Sequence, residues 1–575
     1  MRYPVFLIPL LTAARLAAQC PDGSPPPCNR ARPRPAAPVL SVAILDFQNL
    51  SHDTSDAYLA DGVAEEVAER LVRVQRLTVV SRTAVERLPN ASTMPTSDLG
   101  RALNVSFLVT GSVRRAGGRV RVGVALLRAA TGVQGWADQY DRDQGDLLEM
   151  QDEIASSVAS EITGRLLPAE SHALERRPAP NPGAYDAYLK GLAVLKVHPV
   201  AGHSEALPWF ARAVSLDSSF ADAWGMIGLC DALIHDLTAP ATDTVIIQGR
   251  AAADRAITLA PEGSIGHVAL GFVLYRAGYD YAGAEREFRL AIAHDPNSRD
   301  AYSGLATIYK RQGRWEESIA ARMRAITLDP LDPAQPGEMA VVMQYRHRWA
   351  ETQAWMERVE LLAPGESLTV RYFRIADLLL EGRLDSIQAE ISRHPSSDAL
   401  IYGPIVAVNL LDTARIRAAV HGARVEGDPV YQYLNMQDIA QLAGLRDLHR
   451  EMVDSLRAAL ARAPAADTST NSVEGALHMA FVLAAFGDSA AAGRLLARAE
   501  AGLGALNDVL RRGDAEENIT ELLMRLGRTS EVLERLPRQL SGTGPLTAAV
   551  LRIDPVYKPL WDDSRFEAIL AAHPN

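Results

Sequence analysis

The stretch NSRDAYSGLATIYKRQGRWEESIAARMRAITLDP (residues 297–330) is followed without a gap by LDPAQPGEMAVVMQYRHRWAETQAWMERVELLAP (residues 331–364), and the two carry one pattern. In the first, Tyr302, Leu305, Ala306, Tyr309, Gly313, Ser318, Ala325 and Pro330 hold the marked positions. In the second, Ala340, Met343, Trp349, Val359 and Pro364 stand 34 residues after Ala306, Tyr309, Trp315, Ala325 and Pro330. That period predicts a helix, a turn and a second helix per unit, with small residues where the helices cross closely and a proline ending each unit.

The spacing extends backwards. Leu270, Gly271, Leu274, Ala284, Phe288, Ala291 and Pro296 mark the preceding unit, and Trp224, Ile227, Gly228, Ala256 and Pro261 the one before it, with a longer turn near Thr238 to Thr244. Gly191, Ala206, Phe210 and Ala213 mark the first, again with a lengthened turn. Beyond Pro364 the pattern wears down to Ile375–Leu380 with Gly382-Arg383 and Ala480–Ala497 with Gly487-Asp488, and Asp554 to Leu570 reads as a closing cap. These residues resemble the tetratricopeptide repeat family. The resemblance implies an all-α superhelix over residues 184–364, degenerate helical repeats with a cap over 365–575, and a concave groove for a protein or peptide.

Helical geometry puts unit positions 5, 9, 12 and 13 on the face away from the inter-helix core. The expected partner-binding residues are therefore Phe272, Tyr275 and Arg276, then Thr307, Lys310 and Arg311, then Gln344 and Tyr345, alongside Val268, Ser303, Gly337 and Val341. Arginine, lysine and tyrosine on one face suit an acidic or extended peptide; the alternative is an ordinary solvated face. Trp315 and Trp349, at equivalent turns, read as packing residues.

Before the repeats the period changes. Ser41 to Phe47 is a short apolar run of the kind buried on both faces of a sheet. Leu59, Val63, Val67 and Leu71 then recur every four residues on one helix face, with Glu65, Glu66, Glu69 and Arg70 expected in water. Leu77–Val80 and Val105–Val113 are further strands, with a short helix from Ser97 or Asp98 between them. Paired Gly117 and Gly118 make a hairpin into alternating Val120, Val122, Val124 and Leu126, then Thr131-Gly132 turns into Val133–Tyr140. An amphipathic helix through Leu147, Met150, Ile154, Val158 and Ile162 closes an α/β domain with a mixed sheet. Ser41-Val-Ala-Ile-Leu-Asp-Phe-Gln-Asn-Leu-Ser, Tyr58-Leu-Ala-Asp-Gly, Gly111-Ser-Val-Arg-Arg-Ala-Gly-Gly, Ala129-Ala-Thr-Gly, Trp136 and Tyr140-Asp-Arg together resemble the TolB-amino-terminal-like domain, over residues 40–167. That family is often joined to tetratricopeptide arrays, sometimes behind a cyclase, kinase or DNA-binding domain. Asp46 and Gln48 depart from its usual proline and glutamate.

Arg2, the apolar run Val5–Leu11 and small residues to Ala18 read as a signal peptide over residues 1–19, too short to span a bilayer. The expectation is an exported protein, periplasmic or envelope-associated, without a transmembrane helix in the mature chain. Cys20 raises a lipid anchor as the weaker alternative, because Gln19 replaces the small residue such anchors want. A proline-rich linker follows over 20–39, in which Cys20 and Cys28 suit a small disulfide, and a second linker runs over 168–183. Cys230, among Met226, Ile227 and Leu229, reads as a buried thiol.

A net charge of −11 argues against a nucleic-acid partner. There is no P-loop lysine, no His-Glu-x-x-His and no Gly-x-Ser-x-Gly. His198 and His203 lack a third ligand for zinc. Asp46, Asp53, Asp56 and Asp61 gather near a strand end and read as caps and turn residues before a ligand site. No catalytic residue, metal or cofactor is assigned. The expected function is a non-enzymatic interaction scaffold, and the alternative is a sensor whose α/β domain binds a small molecule and whose repeats relay it.

Overall fold

The computed structural model describes residues 40–573 apart from short segments, the longest being 52–56, 171–180, 198–201, 238–242, 364–373, 394–402, 423–428 and 464–469. The signal peptide, Cys20, Cys28 and the first linker lie outside the described residues, as do Asp53, Asp56, Gly117 and most of the second linker.

A mixed sheet comes first. Its strands are β1 (Ser41–Ile44), β2 (Gln48–Asn49), β3 (Thr78–Val80), β4 (Phe107–Ala116), β5 (Arg119–Arg128) and β6 (Gln134–Asp143), in the order β3-β1-β4-β5-β6 with β2 beside β4. β1 runs parallel to β3 and β4, whereas β4, β5 and β6 form an antiparallel meander. The apolar run at β1 is continuous because both faces are covered. Val42 and Ile44 meet α1 (Ala57–Val72) and α4 (Leu147–Thr163), while Ala43 meets α2 (Arg82–Glu86) and α3 (Thr96–Leu103). β2 lies in a stretch expected to lead into a polar loop, since two residues show no period, and α2 is one turn and a half without a stripe.

Helix pairs follow: α5 (Pro182–Val197) with α6 (Gly202–Leu216), α7 (Ala221–Leu237) with α8 (Asp243–Leu259), and α9 (Ser264–Gly278) with α10 (Tyr281–His294). The two regular units are α11 (Arg299–Arg311) with α12 (Trp315–Leu328) and α13 (Ala334–Tyr345) with α14 (Trp349–Leu362). The worn region holds α15 (Leu384–Arg393), α16 (Gly403–Leu410), α17 (Thr413–Gly422), α18 (Pro429–Leu442), α19 (Arg446–Leu460), α20 (Val473–Ala485), α21 (Ser489–Gly502), α22 (Val509–Arg525), α23 (Thr529–Ser541), α24 (Ala548–Ile553) and the capping α25 (Ser564–Ala572). Together they form a tetratricopeptide-like superhelix.

The reason for the small residues is visible at Phe288, whose ring is clasped by two units. A Cβ on Gly271 would lie 2.7 Å from it and one on Gly304 2.4 Å. The 34-residue register also fixes backbone shape. Tyr279, Gly313 and His347 all turn through positive φ (52°, 73° and 54°), so two bulky residues accept a conformation that favours glycine. Both touch the far half of the array. Arg511 lies 4.0 Å over the Tyr279 ring, and His347 Nε2 is 3.1 Å from the Gly544 carbonyl oxygen. At the two tryptophan positions, Trp315 stacks on Tyr345 and Trp349 on His347.

The sheet domain is packed onto the array. Asn297, buried at the start of the regular stretch, donates from Nδ2 to the carbonyl oxygens of Val72 (3.2 Å) and Leu77 (3.0 Å), and its Oδ1 accepts from Arg324 (3.2 Å). The Ser81 N–H donates 2.8 Å to the Leu328 carbonyl beside it, and Arg87 pairs with buried Asp329 at 2.8 Å. This docking corrects the reading of α1. Glu66 and Arg70 do not face water but are 2% and 0% exposed, because the side of α1 opposite the sheet meets α5. Arg70 pairs with Glu66 and Asp152, and Tyr185 donates its hydroxyl to Glu66 at 2.8 Å.

Asn297→Ala removes all three side-chain bonds and leaves the Val72 and Leu77 carbonyls without that donor. It is expected to destabilise the protein by about 2 kcal/mol, measured by urea unfolding. A midpoint within error of the parent would show that the amide does not hold the two parts together.

Candidate functional site: a cavity between the sheet domain and the repeats

Because α1 lies across the inner helices of the first repeats without filling the space, a cavity of about 1450 Å³ remains. Glu65 and Glu69 enter it from α1 and Arg73 from the turn that follows, and Leu192, Asp222, Met226, Phe272, Arg276 and Asp295 from the array. α1 supplies its charges at successive turns of one face, the same face expected to be solvated.

The cavity is biased towards negative charge. Arg76 pairs with Glu170 at 2.9 Å, and Arg299 with Asp332 at 3.1 Å. Arg82 is clamped by Asp46 at 2.8 Å, Glu65 at 3.1 Å and Asp61 at 3.8 Å, so the two described members of the Asp46–Asp61 group serve an internal ion pair. Glu69 is less well compensated. Burial, then the charges of Glu65 and Asp222, push its carboxyl up to about 8 against the pull of Arg73. Burial also raises Asp222, opposed by Arg73 and Arg70, and raises Asp295 to about 7 although Asn297 N–H donates to it. Arg276 is pushed down to about 10 by burial, its guanidinium 5.8 Å from the Phe272 ring centre. Such a site favours a cation with apolar reach over an anion. Among the described residues no group of three metal-ligating side chains is placed to hold a metal ion.

The eight residues expected to bind a partner fall in three settings. Phe272 and Arg276 line the cavity. Tyr275, Arg311 and Tyr345 face the start of α22: Arg311 pairs with Asp508 at 3.2 Å and interacts with Tyr275, and Tyr345 donates to Asp514 at 3.2 Å. Thr307, Lys310 and Gln344 lie between helices, where Arg322 donates to the Thr307 hydroxyl at 3.2 Å, Lys310 pairs with Glu338, and Gln344 is 8% exposed. Two of the three cations that suited an acidic peptide, Lys310 and Arg311, are thus spent on Glu338 and Asp508 of the same chain. The unit positions alone show which side they face, not that α22 comes back to meet it. The acidic wall from α1 was likewise invisible, since nothing in a helix stripe announces a second covering layer.

No family model matches the chain. Over 205 residues it is 30% identical to putative adenylate cyclase 3 of Rhizobium meliloti (strain 1021), covering 36% of this chain and 35% of that protein. Over 75 residues it is 39% identical to cellulose synthase operon protein C of Xanthomonas axonopodis pv. citri (strain 306), covering 13% of this chain and 5% of that protein. The chain therefore spans about a third or less of the length of these curated relatives. Among solved structures it is similar to PilF of Pseudomonas aeruginosa (15% identity, 38% of this chain and 95% of that one, TM-score 0.30). It is also similar to PilW, a type IV pilus biogenesis factor (14% identity, 37% and 94%, TM-score 0.31).

The raised acids make packing depend on pH. Glu69 and Asp295 hold their protons more tightly folded than unfolded, so their contribution is full below the ordinary carboxylate range and is lost as pH rises through about 8 and about 7. The melting temperature is expected to fall between about pH 5 and about pH 8, and Glu69→Gln to flatten that fall. An identical pH profile in the variant would place Glu69 in water.

Proposed function

We propose that this chain is a non-enzymatic interaction scaffold of the bacterial cell envelope, and that it holds a basic, extended segment of a partner protein in the cavity between the sheet domain and the repeats. The observation that carries this is the cavity itself, with Glu69, Asp222 and Asp295 on its walls and Met226 and Phe272 between them. An arginine or lysine side chain entering there gains the carboxylates as partners and lays its methylene stem on the apolar wall. Phe272 and Arg276 are the contact residues of this reading. Tyr275, Thr307, Lys310, Arg311, Gln344 and Tyr345 hold the frame that shapes it. The signal-peptide pattern supports the envelope location, and no helix among the described residues is long and apolar enough to cross a membrane.

A second reading has one observation in its favour: both parts of the chain wall the cavity, so a small molecule bound there would bear on how they dock. Under that reading the chain is a sensor, tested by a thermal-shift screen of cationic metabolites, with nucleotides included because of the putative adenylate cyclase among its relatives.

The scaffold reading is tested by placing a photo-crosslinking amino acid at Phe272 in the full chain within the native envelope. The expected result is an adduct with one partner protein, lost when Asp222→Lys reverses a wall charge and absent when the crosslinker stands at exposed Ile247. An adduct indifferent to Asp222→Lys, or none, would contradict the assignment.

A further inference from the structure

A separate groove of about 710 Å³ opens between α6, α7 and α8, away from α1 and the sheet. Its wall is formed by Leu207 and Pro208 of α6 and by Trp224 and Ile227 of α7, with Arg255 of α8 exposed at the side. The Trp224 indole N–H is already donated to the Ser218 carbonyl oxygen at 3.1 Å, so the ring surface is what remains for a ligand. Ser204, Gln248 and exposed Arg255 also border the groove, whose wall is otherwise apolar with one exception. Asp231 lines it, is only 6% exposed, and has no hydrogen-bond or ion-pair partner among the described residues.

That carboxylate is held in place by close helix packing. α8 crosses α7 near Gly228 and Gly249, where a Cβ on Gly249 would lie 2.9 Å from the Asp231 Cβ, so the side chain cannot retreat towards α8. Burial alone raises its carboxyl to about 6, and above that pH it is a charge that faces the groove without a counter-ion. Helix packing gives no reason for such a group, because an apolar residue of the same size costs far less at that depth.

We propose that this groove is a second binding site, independent of the interdomain cavity, for an organic ammonium ion on an apolar stem: the Asp231 carboxylate receives the ammonium hydrogens, and Trp224, Leu207 and Ile227 cover the stem. One unpaired carboxylate calls for a single positive charge, and the apolar side chains of Leu207 and Ile227 suit an alkyl or aryl body. The Trp224 face adds attraction for the cation. The interaction is reversible binding with no bond made or broken.

The test is isothermal titration of the full chain with hexylammonium at about pH 7.5, where Asp231 is ionised, and with hexanol as the uncharged match. Saturable binding of hexylammonium is expected, weakened at least about tenfold both in hexanol and in Asp231→Asn. Ala211→Trp, which adds bulk to the groove from exposed α6, should remove this Asp231-dependent binding and covers the case in which Asp231→Asn fails to fold. Glu69→Gln should leave it unchanged, which separates this site from the cavity. No saturable heat, equal binding of hexanol, or binding retained in Ala211→Trp would overturn the proposal.

Discussion

The side-chain amide of Asn297 is where the two halves of this molecule are joined. It sits at the loop that opens the most regular repeat, and it reaches the two carbonyl oxygens left at the end of α1 and the approach to β3. Without it those oxygens would lose their donor at a largely buried seam, where an unmet acceptor costs more than a formed bond returns. Everything on the inner side of the array follows from that contact. It keeps α1 over the first repeats, buries Glu66 and Arg70, and leaves the space that Glu69, Asp222 and Asp295 share. The Ser81 to Leu328 backbone bond extends the same seam along β3, so that edge of the sheet meets the array while β6 ends the sheet at the other side.

A second closure comes from the other direction. The turns of three successive units carry Tyr279, Gly313 and His347 at one conformation, and α22 lies along them, with Val509 3.2 Å from where a Gly313 Cβ would stand. Asp508 accepts from Tyr281 and Arg311 there, and Asp514 from Tyr345. The array is therefore closed on itself rather than open as isolated repeats would be. What an open groove would offer to a partner is divided between the chain's own first and last parts, and the remaining space is acidic and partly apolar.

Much of the fold was legible because it is written in short-range pattern. The 34-residue register placed the regular helix pairs, the alternation after Gly118 placed β5, and the four-residue stripe placed α1. Strand β2 was not legible, since two residues carry no period and gain their place only from β4. The candidate site was half legible. Unit positions identified Phe272 and Arg276, which do reach the cavity, but the same rule named Lys310, whose partner Glu338 is in the next unit, and Arg311, whose partner Asp508 is 197 residues away. The helix stripe predicts Glu65 and Glu69 in water because one covering layer satisfies an amphipathic helix, and the second layer is a matter of tertiary assembly. Asp231 is illegible for the opposite reason: a lone aspartate in an apolar helix has no motif, and only its depth and lack of a partner among the described residues mark it.

The claim on which the rest depends is that the sheet domain and the repeats form one packed unit along the β3 seam. Hydrogen exchange of the full chain, followed by mass spectrometry over residues 76–84, tests it most directly. The account predicts that the Ser81 amide is protected as strongly as the amides of α12, whose terminal Leu328 carbonyl it donates to. Exchange at Ser81 as fast as at an open strand edge, with α12 still protected, would contradict it.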